Sequence, residues 1–150
     1  MTIFDRIIQG QCPASFVHED AICVAFLDIR PMTPGHVLVV PRHSVPTLDQ
    51  LDAATRAHLW EVVQRVGAAQ RRGLGSHAQH LLVNDGKAAS QSVPHVHIHV
   101  IPRYQNDTLR TVARMIWHVT TLTLPRRETA ARRAALDDVA AAIRRAMPAG

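Results

Sequence analysis

The sequence predicts an α+β domain built on an antiparallel sheet. Short apolar runs crowd the first 45 residues, one long stretch of helix formers follows, and a second such stretch closes the chain. Strands and helices do not alternate regularly, as a doubly wound parallel sheet requires. At 150 residues the chain is expected to form a single domain, residues 1–150, able to bury a sizeable core.

"IFDRIIQGQ" places Phe4, Ile7 and Ile8 on one side of a short helix that Gly10 stops. "FVHED" and "AICVAFLDI" read as two strands joined tightly around Glu19 and Asp20. "RPMTPG" is a turn of two prolines and a glycine, and it feeds "HVLVVPR", a continuous aliphatic run suited to a well-buried strand. Asp52 is an N-cap for a long helix whose Leu59, Val62, Val63, Val66 and Ala69 recur at helical spacing. "LGS" ends that helix, and "HLLVNDG" is a fourth strand. "LRTVARMIWHVTTLTL" is ambiguous between helix and strand. The last segment is a helix with Leu136, Val139, Ala140, Ile143 and Met147 as its apolar stripe.

Composition narrows the function classes. The chain is 47% hydrophobic but 4% aromatic, so its core is mostly aliphatic. No run reaches the roughly 18 to 20 apolar residues of a membrane span. The N-terminus lacks a basic region followed by an apolar stretch and a small-residue cleavage site. A cytoplasmic location without membrane contact is the expectation. Cys12 precedes a proline in a turn and Cys23 lies in an apolar run; neither has a CxxC partner, so a cysteine zinc site is unsupported. The formal charge of +5 is carried by arginine, Lys87 being the only lysine. Arg126, Arg127, Arg132, Arg133, Arg144 and Arg145, with Asp137 and Asp138 among them, read as a solvated helix face rather than a nucleic-acid stripe.

The chemistry concentrates in "VPHVHIHVIPR", residues 93–103, where His95, His97 and His99 fall on alternate positions. On a strand the three imidazoles share one face, and Val96, Ile98 and Val100 share the other. Same-face neighbours are about 6.6 Å apart along a strand, so His95 and His99 are separated by about 13 Å. Zinc holds ligand nitrogens about 2.1 Å away, so three converging histidines are awkward. An HxH pair would need a further ligand from Asp28, His36 or His43. A phosphorus site uses the spread better: neutral imidazole, with an unperturbed pKa of about 6.5, is a competent nucleophile. Its neighbours can orient it or stabilise phosphoryl oxygens. A metal cage, a phosphate site and a merely histidine-rich strand all remain open at this point.

"HVHIHVI" resembles the signature of the histidine triad (HIT) family at every position, and the similarity extends over roughly residues 3–103. The resemblance implies a core of residues 1–104 with a variable C-terminal extension, 105–150. It implies a five-stranded antiparallel sheet with a long central helix and a C-terminal helix, paired into a homodimer. It further implies a nucleotide hydrolase without cofactor or metal, acting through a covalent nucleotidyl-histidine intermediate. In that scheme His97 is the nucleophile and His95 orients it through its backbone carbonyl. His99 contacts phosphate oxygens, His36 braces the triad, and Ser92 lies near the leaving group. Asn84 and Gln91 line the phosphate path, Asp28 holds the ribose, and Ile7, Val24, Phe26 and Ile29 wall a purine base. A third histidine favours hydrolases over the transferase branch, whose motif ends in glutamine.

Taken alone, Ile7, Val24, Phe26 and Ile29 read as core, Asp28 as a turn residue and Asn84 as part of a hairpin turn. His18, His58, His77, His80 and His118 read as structural or surface histidines. Two departures from the family stand out. Thr2 and Asp5 occupy places where some bacterial members carry a zinc-binding CxxC, leaving His43 and His95 to hold at most a weak ion. Ser90 stands where glycine is usual, which adds strain if that residue needs positive φ. Nucleoside phosphoramidates are favoured slightly over dinucleoside polyphosphates as substrates. The rivals are a purine-nucleotide-binding protein with little turnover that recruits partners through its basic C-terminal helix, and a metal-dependent enzyme or store.

Overall fold

Two of the strands have no exposed residue, and this fixes the layering. In a computed structural model describing residues 1–120 and 128–149, the chain forms α1 (Ile3–Ile8), β1 (Phe16–Glu19), β2 (Cys23–Leu27), β3 (Val37–Pro41), α2 (Ala53–Leu74), β4 (Ala78–Leu82), β5 (Ile98–Arg103), α3 (Thr108–Thr120) and α4 (Ala130–Ala146). Every residue of β2 and β3 is buried, so both strands require cover on both faces. They occupy the inner part of a five-stranded antiparallel sheet of order β1-β2-β3-β5-β4.

Alternation along the strands assigns each residue to a layer. Cys23, Ala25 and Leu27, with Val37, Val39, Ile98 and Val100, pack against α2 and α4. Val24, Phe26, Leu38 and Val40 face the other way and are covered by Phe4, Ile7 and Ile8 of α1. The expected stripe of α2 is buried throughout, and α4 adds Ala140 and Ile143 to the same cluster. Asp52 caps α2 by accepting from the Thr55 N–H, and Gly75 closes it at φ +69°. Gln70, which the periodicity did not single out, is fully buried on α2; its Nε2 donates to the carbonyls of Gly35 and Val100, both at 3.0 Å. One amide thus fastens the helix to β5 and to the turn before β3.

Three expectations change. The histidine segment is not one strand: residues before Ile98 lie outside the sheet. Pro94 has no N–H to donate, and the His95 N–H turns back to the Val93 carbonyl (2.8 Å) while Val96 bonds to Val45 (2.9 Å). "NDG" is no tight hairpin either, because β4 and β5 pair through a long loop containing a short 3₁₀ turn, Lys87–Ala89. The ambiguous segment is helical to Thr120, and its remainder lies outside the described residues. Among the described residues no helix is long and apolar enough to cross a membrane.

The α2–α4 contact depends on Gly73. A Cβ there would lie 2.7 Å from the backbone carbonyl oxygen of Ala142, which can retreat only if α4 moves. Alanine is favoured over glycine in a helix by about 1 kcal/mol, whereas overpacking costs typically about 1–3 kcal/mol. Gly73→Ala is therefore expected to lower the unfolding free energy by about 1 kcal/mol in denaturant titration; a stabilised variant would contradict this packing.

Candidate active site

The bend at Pro94 turns two histidines to different tasks. His95 is fully buried, and its Nε2 donates to the Pro41 carbonyl (2.8 Å). Its Nδ1 is left as an acceptor, 3.2 Å from both Thr2 Oγ1 and Ser44 Oγ. The His95 carbonyl accepts from His97 Nδ1 at 2.8 Å. With the proton held on Nδ1, the lone pair of His97 resides on Nε2. The Phe4 ring lies edge-on to His97, with centroids 5.1 Å apart, and His99 follows at 4.8 Å from His97.

A second relay sets His99. The Met32 N–H donates to His36 Nδ1 (3.2 Å), so His36 carries its proton on Nε2 and passes it toward His99 Nδ1 (2.9 Å). His99 consequently has its own N–H on Nε2. Asp28 Oδ2 lies 3.8 Å from His36 Nδ1, beyond hydrogen-bonding reach. The site thus combines a lone pair on His97 with an N–H donor on His99. Burial pushes the pKa of His97 below the ordinary histidine value, outweighing the His95 carbonyl and the Asp28 charge. His95 is likewise lowered, chiefly by burial. Both rings are neutral at pH 7.

His97 and His99 open onto a cleft of about 450 Å³ between α1 and the sheet. Of the residues named from sequence, Ile7, Phe26, Asp28, Ile29 and Ser92 also line it. Val24 is fully buried in the cluster behind that wall, and His36 and His95 support the rings from behind. Asp28 has a divided role: Oδ1 accepts from the Arg30 N–H (2.8 Å), a turn bond, while the residue still borders the cleft. Asn84 and Gln91 lie outside the lining. Gln91 instead clasps its own loop, accepting from Gly86 N–H (2.9 Å) and donating to the Pro46 carbonyl (2.7 Å). Ser90 does adopt positive φ, +64°, a conformation that costs a non-glycine residue roughly 1–2 kcal/mol.

Sequence reasoning missed Phe4, Leu38, Val93, Glu128 and Arg133 in the lining. Phe4 and Leu38 carry no signal beyond apolarity. Arg133, ion-paired with Glu128, donates to Ser15 Oγ (3.1 Å), and Arg132 and Arg144 donate to the carbonyls of Ile29 and Phe16. The reading of these arginines as a merely solvated face is corrected: Arg132, Arg133 and Arg144 tie α4 to β1 and the cleft rim through backbone carbonyls and the Ser15 hydroxyl.

The donor set beside α1 does not suit zinc. Thr2 and Asp5 are engaged in the capping box of α1, Thr2 Oγ1 accepting from Asp5 N–H and the Asp5 carboxylate from Thr2 N–H. The donors around His95 Nδ1 are hydroxyls and the Asp5 carboxylate, 3.7 Å away, with His43 nearby and no thiolate. Asp28, His36 and His99 also bring ligand atoms within 4.8 Å of one another. A metal there would have to break the His36 relay.

Residues 9–106 match the family described as "HIT domain". The chain is 37% identical over 107 residues to Adenylylsulfatase HINT3 of Arabidopsis thaliana, covering 71% of this chain and 54% of that one, so it spans about half of that relative. It is 39% identical over 114 residues to an uncharacterised HIT-like protein of Mycobacterium tuberculosis, covering 76% and 79% of the two chains. Among solved structures, a zinc-bound histidine triad family protein from Mycobacterium smegmatis superposes with TM-score 0.74 at 33% identity, over 96% of this chain and 91% of that one.

The tautomers are directly observable. Long-range ¹H–¹⁵N correlation spectra at pH 7 should show His97 protonated on Nδ1, and His36, His95 and His99 on Nε2. An Nε2–H tautomer at His97 would contradict this hydrogen-bond assignment.

Proposed function

Because the chain belongs to the HIT domain family, we propose that it is a nucleotidyl hydrolase that cleaves the α-phosphate bond of a nucleoside phosphoramidate or a related nucleotidyl conjugate. The observation that carries this reading is the His97 tautomer, held by the His95 carbonyl (2.8 Å) with its lone pair on Nε2. Nε2 attacks the α-phosphorus and forms a P–N bond as the bond to the leaving group breaks. The positive charge that develops on the ring is stabilised through Nδ1–H and the His95 carbonyl. His99 donates to a phosphoryl oxygen, and Ser92 supplies a hydroxyl at the leaving group. Water then attacks phosphorus, the P–N bond breaks, and His97 recovers its lone pair with release of a nucleoside monophosphate.

The purine fits the apolar part of the cleft at Ile7, Phe26 and Ile29, with Val24 behind them and Asp28 toward the ribose. Gln91 holds the loop that carries Ser92, so its part in the phosphate path is indirect in this conformation, and Asn84 lies outside the cleft lining. A dinucleoside polyphosphate hydrolase differs only in the leaving group, and the Arabidopsis relative's name adds adenylyl sulfate to the candidates. A homodimer is proposed through β4, an edge strand with a half-exposed Leu81; light scattering measures it.

On a panel of adenosine and guanosine phosphoramidates, adenylyl sulfate and dinucleoside tri- and tetraphosphates, His97→Ala is expected to lower kcat/KM by at least roughly a thousandfold. Chelator should leave the rate unchanged. Protonation removes the Nε2 lone pair, and burial lowers that pKa, so kcat/KM should fall only as pH drops below the ordinary histidine value of 6.5. Wild-type turnover by His97→Ala, or an acid limb above 6.5, would overturn the mechanism. Tight nucleotide binding without turnover on the whole panel would indicate a binding protein.

A further inference from the structure

A second group of chemically capable side chains lies on the opposite face of the sheet. Asp20 Oδ2 is 2.7 Å from His18 Nε2, 2.7 Å from His58 Nε2 and 3.8 Å from Cys23 Sγ. The four residues come from three elements: β1, the β1–β2 turn with the start of β2, and α2.

The backbone is shaped to assemble them. Phe16 pairs with Phe26, but the next paired residue of β1 is His18, opposite Ala25, so Val17 forms a bulge. Directly opposed residues share a face, and Ala25 faces the helices. Without the bulge, His18 would point to the cleft side; with it, His18 meets Cys23 and the His58 of α2. Bulges that re-aim one side chain are common beside functional sites. Asp20 is fixed independently, since its Oδ1 accepts from the N–H groups of Ile22 (2.7 Å) and Cys23 (2.8 Å). The nearby Arg42 is occupied elsewhere, donating to the Asp20 carbonyl (2.6 Å) and lying 3.7 Å from Glu19.

We propose that His18, Asp20, Cys23 and His58 form a binding site for a divalent transition metal, with zinc the ion their donors match best. Two imidazoles, a thiolate and a carboxylate are a tetrahedral zinc set, whose ligand atoms are about 3.3–3.6 Å apart given zinc–ligand distances near 2.0–2.3 Å. The sulfur–oxygen separation of 3.8 Å is slightly longer than that spacing and closes to it by a small rotation of the Cys23 side chain. His18, Asp20 and Cys23 already bring ligand atoms within 4.8 Å of one another. His58 stands outside that group, holding Asp20 from the helix side at 2.7 Å, and must swing inward to complete the set, while His18 draws back from Asp20 by about 0.6 Å. On binding, each ring coordinates through Nε2 with its remaining proton on Nδ1, and the Cys23 thiol releases its proton to solvent. Cys23 is buried while His58 and Asp20 are partly exposed, so the ion enters from the helix side and has a thiolate floor. It would clamp the β1–β2 hairpin to α2, away from the cleft and independently of the hydrolase reading.

The test is cobalt(II) titration of the chelator-treated full-length protein, followed by zinc competition. A single equivalent should give tetrahedral d–d bands with a thiolate-to-cobalt charge-transfer band, and zinc should abolish both. The signal should persist in Cys12→Ser and His97→Ala, which remove the cleft's thiol and nucleophile, and disappear in Cys23→Ser. His58→Ala, on the partly exposed helix surface, provides a variant whose folding is not at issue and should also lose it. The proposal fails if wild type shows no thiolate band, if His58→Ala keeps it, or if Cys12→Ser removes it.

Discussion

The hydrogen bond from His97 Nδ1 to the His95 carbonyl is the constraint around which the site is arranged. A carbonyl inside a regular sheet pairs with the neighbouring strand and is unavailable to a side chain two residues later. Here the chain stays out of the sheet until Ile98, because Pro94 cannot donate and the N–H of His95 turns back on Val93. The freed carbonyl takes the His97 proton at 2.8 Å. A buried bond of this kind is costly to leave unmade, by about 1–3 kcal/mol, so the tautomer is held firmly. The rest of the neighbourhood keeps that carbonyl in place: His95 is anchored to Pro41 and capped by Thr2 and Ser44.

This also explains the placement of α1. The helix is too short to be stable alone, and its capping box is shared with the histidine it covers. Phe4 packs on Phe26 and edge-on to His95 and His97, which excludes water and lowers both imidazole pKa values. The same apolar surface continues into the cleft, so the desolvation that keeps His97 neutral also leaves an apolar wall beside it, which the proposed function assigns to a base. From the far side of the sheet, Gln70 and the α2–α4 layer hold β5 and the turn before β3 in register. That register sets Leu38 opposite His99 and brings His36 to within 2.9 Å of it.

Much of this was legible in the sequence, for physical reasons that differ by element. The α2 stripe and the fully apolar β2 and β3 are read directly from periodicity, because burial alone determines them. The histidine alternation put His95, His97 and His99 on one face of a strand; His97 and His99 do border one cleft, but His95 and His97 precede the strand, since one proline and a returned N–H delay its start to Ile98. The linking of α4 arginines to carbonyls near the cleft was not legible, because such bonds depend on where distant chain segments meet. The positive φ of Ser90 was anticipated only conditionally, serine being no marker of it. The β1 bulge had no sequence signal, and with it the company of His18, Cys23 and His58 stayed hidden.

The most direct test of the account is to trap the covalent intermediate. Rapid acid-free quenching during turnover of a nucleoside phosphoramidate, followed by intact-mass and peptide fragmentation analysis, locates any transferred group. A gain of one nucleotidyl group, lost on mild acid treatment and confined to His97, is expected. An adduct on another residue, or burst kinetics without any adduct at His97, would contradict it.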